Sequence, residues 1–595
     1  MFYSACVAKS KVSNMPGSFR AAIACDFEYS APNGERPQVK CATWRDLKTG
    51  FQLQQWQGEF GSAPPFNFDK NTLFIAYNAA AEFSCFLALG WDLPVRALDL
   101  MVEFMRAKNG AVQSISSSLL SALATYGLDS IGGDEKKSMQ QLAMRDGPYT
   151  NSERAALLAY NQEDVDALQR LLPAMLAAGH IDMPRALLRG RYMAALSRMV
   201  HNGTPIDTDI LSRLNVHWDE IRLAIVTEVD KDYGVYDGLT FKTDRFLSWL
   251  AKNDLTWPKL DGRDVPDLKE KTFREMSRVY PIILPLHETR NQLAGLRLTD
   301  LHIGSDNRNR TGLWPFKTVT SRNAPSTSGF VFGPAVWLRH IITPPAGHAM
   351  AYVDWSSQEF GIAAAMSCDG QMISAYQSGD VYLAFAKQAG AVPSDATKET
   401  HPYERELFKQ ATLAVQYGMG HQSLSLRINE SPAKARDLLT SHKWAYPKFW
   451  QWSDAALEVA TTKMQIGTVF GWRSLVHDRT KPNTLRNFPM QANGAEMMRL
   501  AACIATERGI QVNCPVHDAF LMTAPEDQIE EHVAALQSAM AEASRIILHG
   551  FELRSDAKII RCGERYSDPR GVAMWERVTK LLMQCETGSG GIKGE

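Results

Sequence analysis

No stretch of this sequence approaches the roughly 20 consecutive apolar residues that a membrane-spanning helix requires, and Met1 to Arg20 holds no apolar core of a secretory leader. A surplus of charge is also missing. Lys and Arg number 64 against 65 Asp and Glu, for a net charge of -1, so nothing draws the whole chain to nucleic acid or anionic lipid. Any grip on a polyanion must be local. Cysteine is scarce, nine scattered residues never spaced C-x-x-C, which excludes a zinc ribbon or disulfide framework and fits reduced thiols. Low complexity is confined to the Gly-rich tail Thr587 to Glu595. The expectation that remains is a soluble, cytoplasmic, globular protein with no membrane partner.

What is present suffices for several cores. Hydrophobic residues make up 45% and charged ones 22% of 595, and at about 150 residues per domain that length suits about four domains or subdomains. To about residue 180, strands and helices alternate. Ala21 to Cys25 and Leu73 to Tyr77 read as short apolar strands, and Ala80 to Leu89 as a helix closed by Gly90. Thr150 and Glu153 make a capping box for a helix reaching about Ala178. Helical spacing dominates from about 185 to 300, as in Arg191 to Val200 and Ile206 to Ile225. Thr311 to Gly347, rich in Thr, Ser, Pro and Gly, reads as loops and short strands. Ala349 to Val353 is then a buried strand, 404–417 and Met490 to Glu507 are helices, and Val512 to Thr523 is a hairpin. Both halves mix α and β.

Three elements of the C-terminal half carry chemistry. The apolar strand from Ala349 ends in Asp354, and a carboxylate there is costly unless it is paired, binds metal or caps the next helix. On the helix from Glu404, a spacing of about 100° per residue places Arg405, Lys409, Thr412 and Gln416 on one polar face, opposite Phe408, Ala411 and Val415. Two cations one turn apart suit successive phosphates, with Tyr417 and Gly418 closing the helix where a base can stack. In the third element, His517-Asp518 occupies a tight turn between apolar strands. If Asp518 meets Asp354, two carboxylates can hold a pair of Mg²⁺ ions for in-line phosphoryl transfer.

In order and spacing, the strand Asp followed by Glu359, the Arg405/Lys409/Tyr417-Gly418 helix and the His517-Asp518 hairpin resemble the three polymerase motifs of family A DNA polymerases. Thr320-Ser321-Arg322 and Asn487-x-Pro489-x-Gln491 add to the resemblance, which covers about residues 310 to 560. It implies metal binding by Asp354 and Asp518 and triphosphate contacts from Arg405 and Lys409, with Lys409 catalytic. Tyr417 would lie beside the nascent base pair and Glu359 would act as the steric gate against a ribose 2′-OH. Arg322, Asn487, Gln491 and His517 would touch the primer terminus and minor groove. Three residues depart from the family pattern: Leu413 for an aromatic, Ala519 for Glu, and Gly361 for Arg.

A second constellation lies near the N-terminus. Asp26 and Glu28 alternate on one face of a strand, Tyr160 and Asp164 share a helix face, and Asn78-Ala79-Ala80-Ala81-Glu82 follows a strand. A surface Tyr and Asp at i,i+4 are ordinarily just solvated. In this order, however, the set resembles the Tyr-carrying DEDD-type 3′–5′ proofreading exonuclease. That resemblance implies two metals held by Asp26, Glu28, Glu82 and Asp164, with Tyr160 orienting the attacking water. Glu82 stands where the family has Asp.

The expected fold is α/β and α+β multidomain: a ribonuclease H-like exonuclease domain (1–185), then a right-hand polymerase. The latter comprises a thumb (186–310), a first palm part (311–370), fingers (371–480), and a second palm part with the tail (481–595). The expected activity is template-directed addition of dNTPs to a primer 3′-OH with proofreading, in phage DNA replication or equally in bacterial repair, by a monomer in the cytoplasm, the host's if phage-encoded. Partners are template-primer and dNTPs, and cofactors are two Mg²⁺ per site, with Mn²⁺ as a substitute. No processivity partner is legible. The chain shows no segment ahead of residue 26 large enough for a 5′ nuclease. Rival readings are a single-subunit RNA polymerase, against which Glu359 and the exonuclease pattern speak, and a DEDD nuclease or DNA-binding accessory with an inactive polymerase half.

Overall fold

The computed structural model describes residues 19–588 apart from 114, 130–132, 261, 262, 264 and 295–297. The segment before 19 and the Gly-rich tail beyond 588 lie outside the described residues. Five strands form the N-terminal sheet: β1 (Ala21–Ser30), β2 (Gln38–Asp46), β3 (Gln52–Trp56), β4 (Thr72–Ala76) and β5 (Ala97–Asp99), in the order β3-β2-β1-β4-β5. The first three pair antiparallel, and β4 and β5 continue parallel to β1. β1 is buried on both faces, and its alternation sorts them. Ile23, Cys25 and Phe27 pack with Phe83 and Phe86 of helix α1 (Ala79–Ala88). Ala22 and Ala24 pack with Val165, Leu168 and Leu171 of the helix Asn151–Ala177. The period of two therefore turns Asp26 and Glu28 toward that second helix. Thr150 caps it through the expected reciprocal bonds with Glu153.

The helix Met183–Asn202 packs on α1 and β5 at one side and on the helix Pro482–Glu507 at the other. Arg189 on it donates to Glu103 of α2 (Leu100–Lys108) at 2.6 and 2.8 Å, both groups buried. Among the described residues, four further α-helices between Thr208 and Ala294 include a core of their own built on Phe246, Trp249 and Phe273.

The C-terminal sheet is antiparallel, in the order Val512–Val516, Ala519–Pro525, His348–Trp355, Ser555–Ile560. Helices between Gln358 and Lys463 separate its first strand in sequence from the rest. One expectation changes. The helix expected from Met490 starts at Pro482 and carries Pro489 within it. Asn487, expected ahead of this helix, thus shares a helical face with Gln491 one turn later. The proline removes the N–H that would reach the Leu485 carbonyl four residues back, and the Asn493 side chain donates to the Pro489 carbonyl at 2.8 Å.

Candidate active site

Asp354 sits at the C-terminal end of the central strand, paired in register with Ala519 on one neighbour and Asp556 on the other. Directly opposed residues share a face, so Ala519, Asp354 and Asp556 form a row across three strands. Asp518 joins that row from the turn between the hairpin strands. His517 opens the turn at φ 56°, and the Trp355 N–H donates to the Asp518 carbonyl at 3.2 Å. Burial, then Asp518 and Asp556, push the Asp354 carboxyl up to about 7. Burial also raises Asp518, with Glu359 adding to it and His517 and Arg322 opposing it. Carboxylates gathered this way repel one another, and their all-oxygen donor set suits a hard divalent cation.

Beside this pair, the expected residues form one hydrogen-bonded cluster. Arg322 donates to Glu359 Oε1 at 2.6 Å, and the Tyr417 hydroxyl donates to Glu359 Oε2. Gln416 donates to the Glu359 carbonyl at 3.0 Å, while Asn487 reaches the Tyr417 carbonyl at 3.3 Å and Gln491 its hydroxyl. Both Glu359 oxygens are thus engaged, which fixes the carboxylate in place.

The cationic helix spans Pro402–Gln416, and its polar face differs from the sequence expectation. Thr412 and Gln416 are buried, Thr412 against the Phe408 carbonyl, because the C-terminal half of the helix docks on the segment carrying Glu359. Arg405 and Lys409 stay partly exposed in the N-terminal half. Arg405 pairs with Asp380, which caps the helix Val381–Gln388, and Lys409 with Glu406 at 3.3 Å. Asp380 and Asp556 escaped the sequence reading. A capping Asp looks ordinary, and only strand pairing brings Asp556 to Asp354.

At the N-terminal sheet, one carboxylate oxygen each of Asp26, Glu28 and Asp164 lie within 4.8 Å of one another. Burial raises Asp26 well above the carboxylate range, and Glu82, Asp164 and Glu28 raise it further. Burial and Asp164 push Glu28 to about 8. Two residues absent from the sequence reading complete the site. Asn161, adjacent to Tyr160 on the helix, donates to Asp26 at 2.6 Å. Lys136 bonds Asp164 at 2.9 Å, and its ammonium lies 5.4 Å from the Tyr160 ring centre. Glu82 approaches differently. It rises from α1, which covers the opposite face of β1, and accepts the Phe27 N–H at 2.9 Å. Asp99 in turn accepts the N–H groups of Asn78, Ala79 and Val102, anchoring the start of α1.

The chain is similar to known proteins in sequence and in fold. The DNA polymerase family A model matches residues 333–559. The chain is 28% identical over 220 residues to a thermostable DNA polymerase I of Thermus thermophilus, covering 35% of this chain and 26% of that protein. It is 26% identical over 251 residues to the DNA polymerase of Mycobacterium phage D29, covering 41% of this chain and 40% of that protein. The matched stretches thus span well under half of these relatives' own length. In fold, 91% of the chain superimposes on 94% of a solved structure with TM-score 0.69 and 15% identity. That structure is the POL domain of Pol1 from M. smegmatis in complex with DNA primer-template and dNTP. Among the described residues no helix is long and apolar enough to cross a membrane.

Proposed function

Through residues 333–559 the chain belongs to DNA polymerase family A, and from that premise we propose that it is a template-directed DNA polymerase with a 3′–5′ proofreading exonuclease. The observation that carries the reading is the convergence of Asp354, at a strand end, and Asp518, in a turn 164 residues later in sequence, beside a helix bearing Arg405 and Lys409. Two Mg²⁺ ions, when bound, would activate the primer 3′-OH and neutralise the leaving pyrophosphate. Asp354 and Asp518 would hold them. Arg405 and Lys409 would bind the triphosphate, and swinging inward requires them to exchange Asp380 and Glu406 for phosphate. Glu359, braced by Arg322 and Tyr417, would present a fixed wall to the sugar. Asn487, Gln491 and His517 would line the path of the primer strand.

The N-terminal sheet order, with an antiparallel β1–β3 ribbon extended by parallel β4 and β5, supports a ribonuclease H-like exonuclease domain. Asp26, Glu28 and Asp164 would bind metal, Glu82 would complete the set, and Tyr160 would orient water. Lys136 would leave Asp164 when divalent ions arrive. The D29 relative supports a place in phage DNA replication.

Primer extension tests the polymerase reading. Asp518→Ala and Asp354→Asn are expected to lower single-turnover dNTP addition by on the order of a thousandfold or more, while primer-template affinity by fluorescence anisotropy is retained. Extension unchanged in either variant would end the reading. Separately, Asp26→Ala with Glu28→Ala is expected to abolish degradation of a 3′ single strand and spare extension, as read on labelled oligonucleotides.

A further inference from the structure

Away from both candidate sites, the helix Thr208–Asp230 packs against the helix Val572–Glu586. Leu211, Leu214 and Ile221 of the first share a buried cluster with Met574, Val578 and Leu582 of the second. Ion pairs set their direction. Arg213 donates to both carboxylate oxygens of Glu586 at 2.6 and 2.7 Å, and Arg577 to Glu228 at 2.6 Å, so the two helices run antiparallel. Between those pairs, His217 and Glu220, about one turn apart on the first helix, meet Cys585 of the second. One donor atom of each lies within 4.8 Å of the other two. His217 Nδ1 stands 3.2 Å from Glu220 Oε2, and the Cys585 thiol donates to Glu220. His217 and Cys585 are half-buried, while Glu220 is exposed.

The donor chemistry narrows what the cluster can hold. An imidazole, a thiol and a carboxylate make a mixed nitrogen, sulfur and oxygen set, unlike the all-oxygen carboxylates of the two sites above. A soft thiolate ligand disfavours Mg²⁺ and Ca²⁺, whereas Zn²⁺ accepts all three donor types. Ligand atoms of a tetrahedral zinc shell, with bonds of about 2.0 to 2.3 Å, stand about 3.5 Å apart. Closing from 4.8 Å therefore asks only a small rotation of side chains, and the exposed Glu220 is free to make it. The donors come from positions 365 or more residues apart, so no C-x-x-C spacing announces them. We propose that His217, Glu220 and Cys585 form a Zn²⁺ site, with water as fourth ligand, that clips the C-terminal helix to the helix Thr208–Asp230. On binding, the thiol gives its proton to solvent and the imidazole ligates through neutral Nδ1. Because the three donors meet only in the folded chain, the metal stabilises the fold by mass action.

The test uses the untagged, fully reduced full chain, with Co²⁺ as spectroscopic probe and Zn²⁺ as competitor. Co²⁺ held by carboxylates alone gives no sulfur charge transfer, whereas a Co²⁺–thiolate bond gives a near-ultraviolet band, so binding at the other two sites does not interfere. Wild type is expected to show that band and to lose it as Zn²⁺ is added. Cys585→Ser is expected to abolish the band, and His217→Ala to weaken the apparent Co²⁺ affinity by about a hundredfold or more. Zn²⁺ is also expected to raise the melting temperature of wild type more than that of either variant. No band in wild type up to millimolar Co²⁺ would overturn the proposal. So would an undiminished band in Cys585→Ser, which would assign the thiolate to another cysteine such as the exposed Cys368 or Cys562. Equal Zn²⁺-induced shifts in all three proteins would likewise refute the clip. Metal-free melting temperatures check that each variant is folded; if Cys585→Ser is not, His217→Ala decides, and an unweakened affinity there counts against the site.

Discussion

The carboxylates at both sites are held in conditions that oppose their own charge. Glu28 is raised from 4.5 to about 8 and Asp354 from 3.8 to about 7, burial being the first cause in each case. The sign of the consequence follows from proton binding. Between the unfolded and folded values the native protein holds protons that the unfolded chain releases, so these groups favour folding at low pH and that contribution is lost as pH rises. In metal-free buffer the melting temperature is therefore expected to fall from about pH 5 to about pH 8. Millimolar Mg²⁺ or Mn²⁺ is expected to reverse most of the loss, and Asp354→Asn to flatten the pH dependence. Differential scanning fluorimetry in EDTA and in metal reads all three effects; a melting temperature indifferent to metal at the upper pH would contradict them.

Among the elements, the helix Gln358–Ser367 shows how packing rewrites a motif. Gly361, where the family resemblance leads one to expect Arg, has no room for a side chain. An added Cβ would meet Leu553 Cδ2 at 2.4 Å and Tyr376 Cε2 at 2.9 Å. Gly361→Ala is accordingly expected to cost about 1 to 3 kcal/mol by overpacking, measured as a shift in urea midpoint with unchanged slope. Ala519 is likewise fully buried, opposite Asp354. Element positions were largely legible. The hairpin, the capped helix from Thr150 and the central strand all lie where periodicity put them. The ends were less so. β1 runs on to Ser30 because Asp26 and Glu28, polar in sequence, sit on a strand face turned toward another helix. The helix from Pro482 contains a proline that read as its boundary.

Across the whole molecule, the helix Met183–Asn202 is shared between the N-terminal sheet and the C-terminal half, and the Arg189–Glu103 pair locks one of its contacts. Both groups are almost wholly buried, so Glu103→Gln leaves Arg189 and Arg106 without their counter-charge and is expected to destabilise by about 3 to 5 kcal/mol. Calorimetry should show the loss whether or not metal is bound. With a near-zero net charge, the proposed DNA binding would rest on local groups such as Arg322, Arg405 and Lys409, and its salt dependence would report how many of them engage phosphate. The amino-acid order alone showed which carboxylates stand on strand ends and turns and which cations repeat along a helix, and it carried the resemblance to polymerase and exonuclease motifs. Local periodicity encodes the first two, since they depend on residues a few positions apart. Only the tertiary structure decided that Asp556 faces Asp354, that Lys136 and Asn161 join Asp26 and Asp164, and that His217 and Glu220 meet Cys585. Those contacts join segments distant in the chain, and strand register and packing, which no local window contains, bring them together.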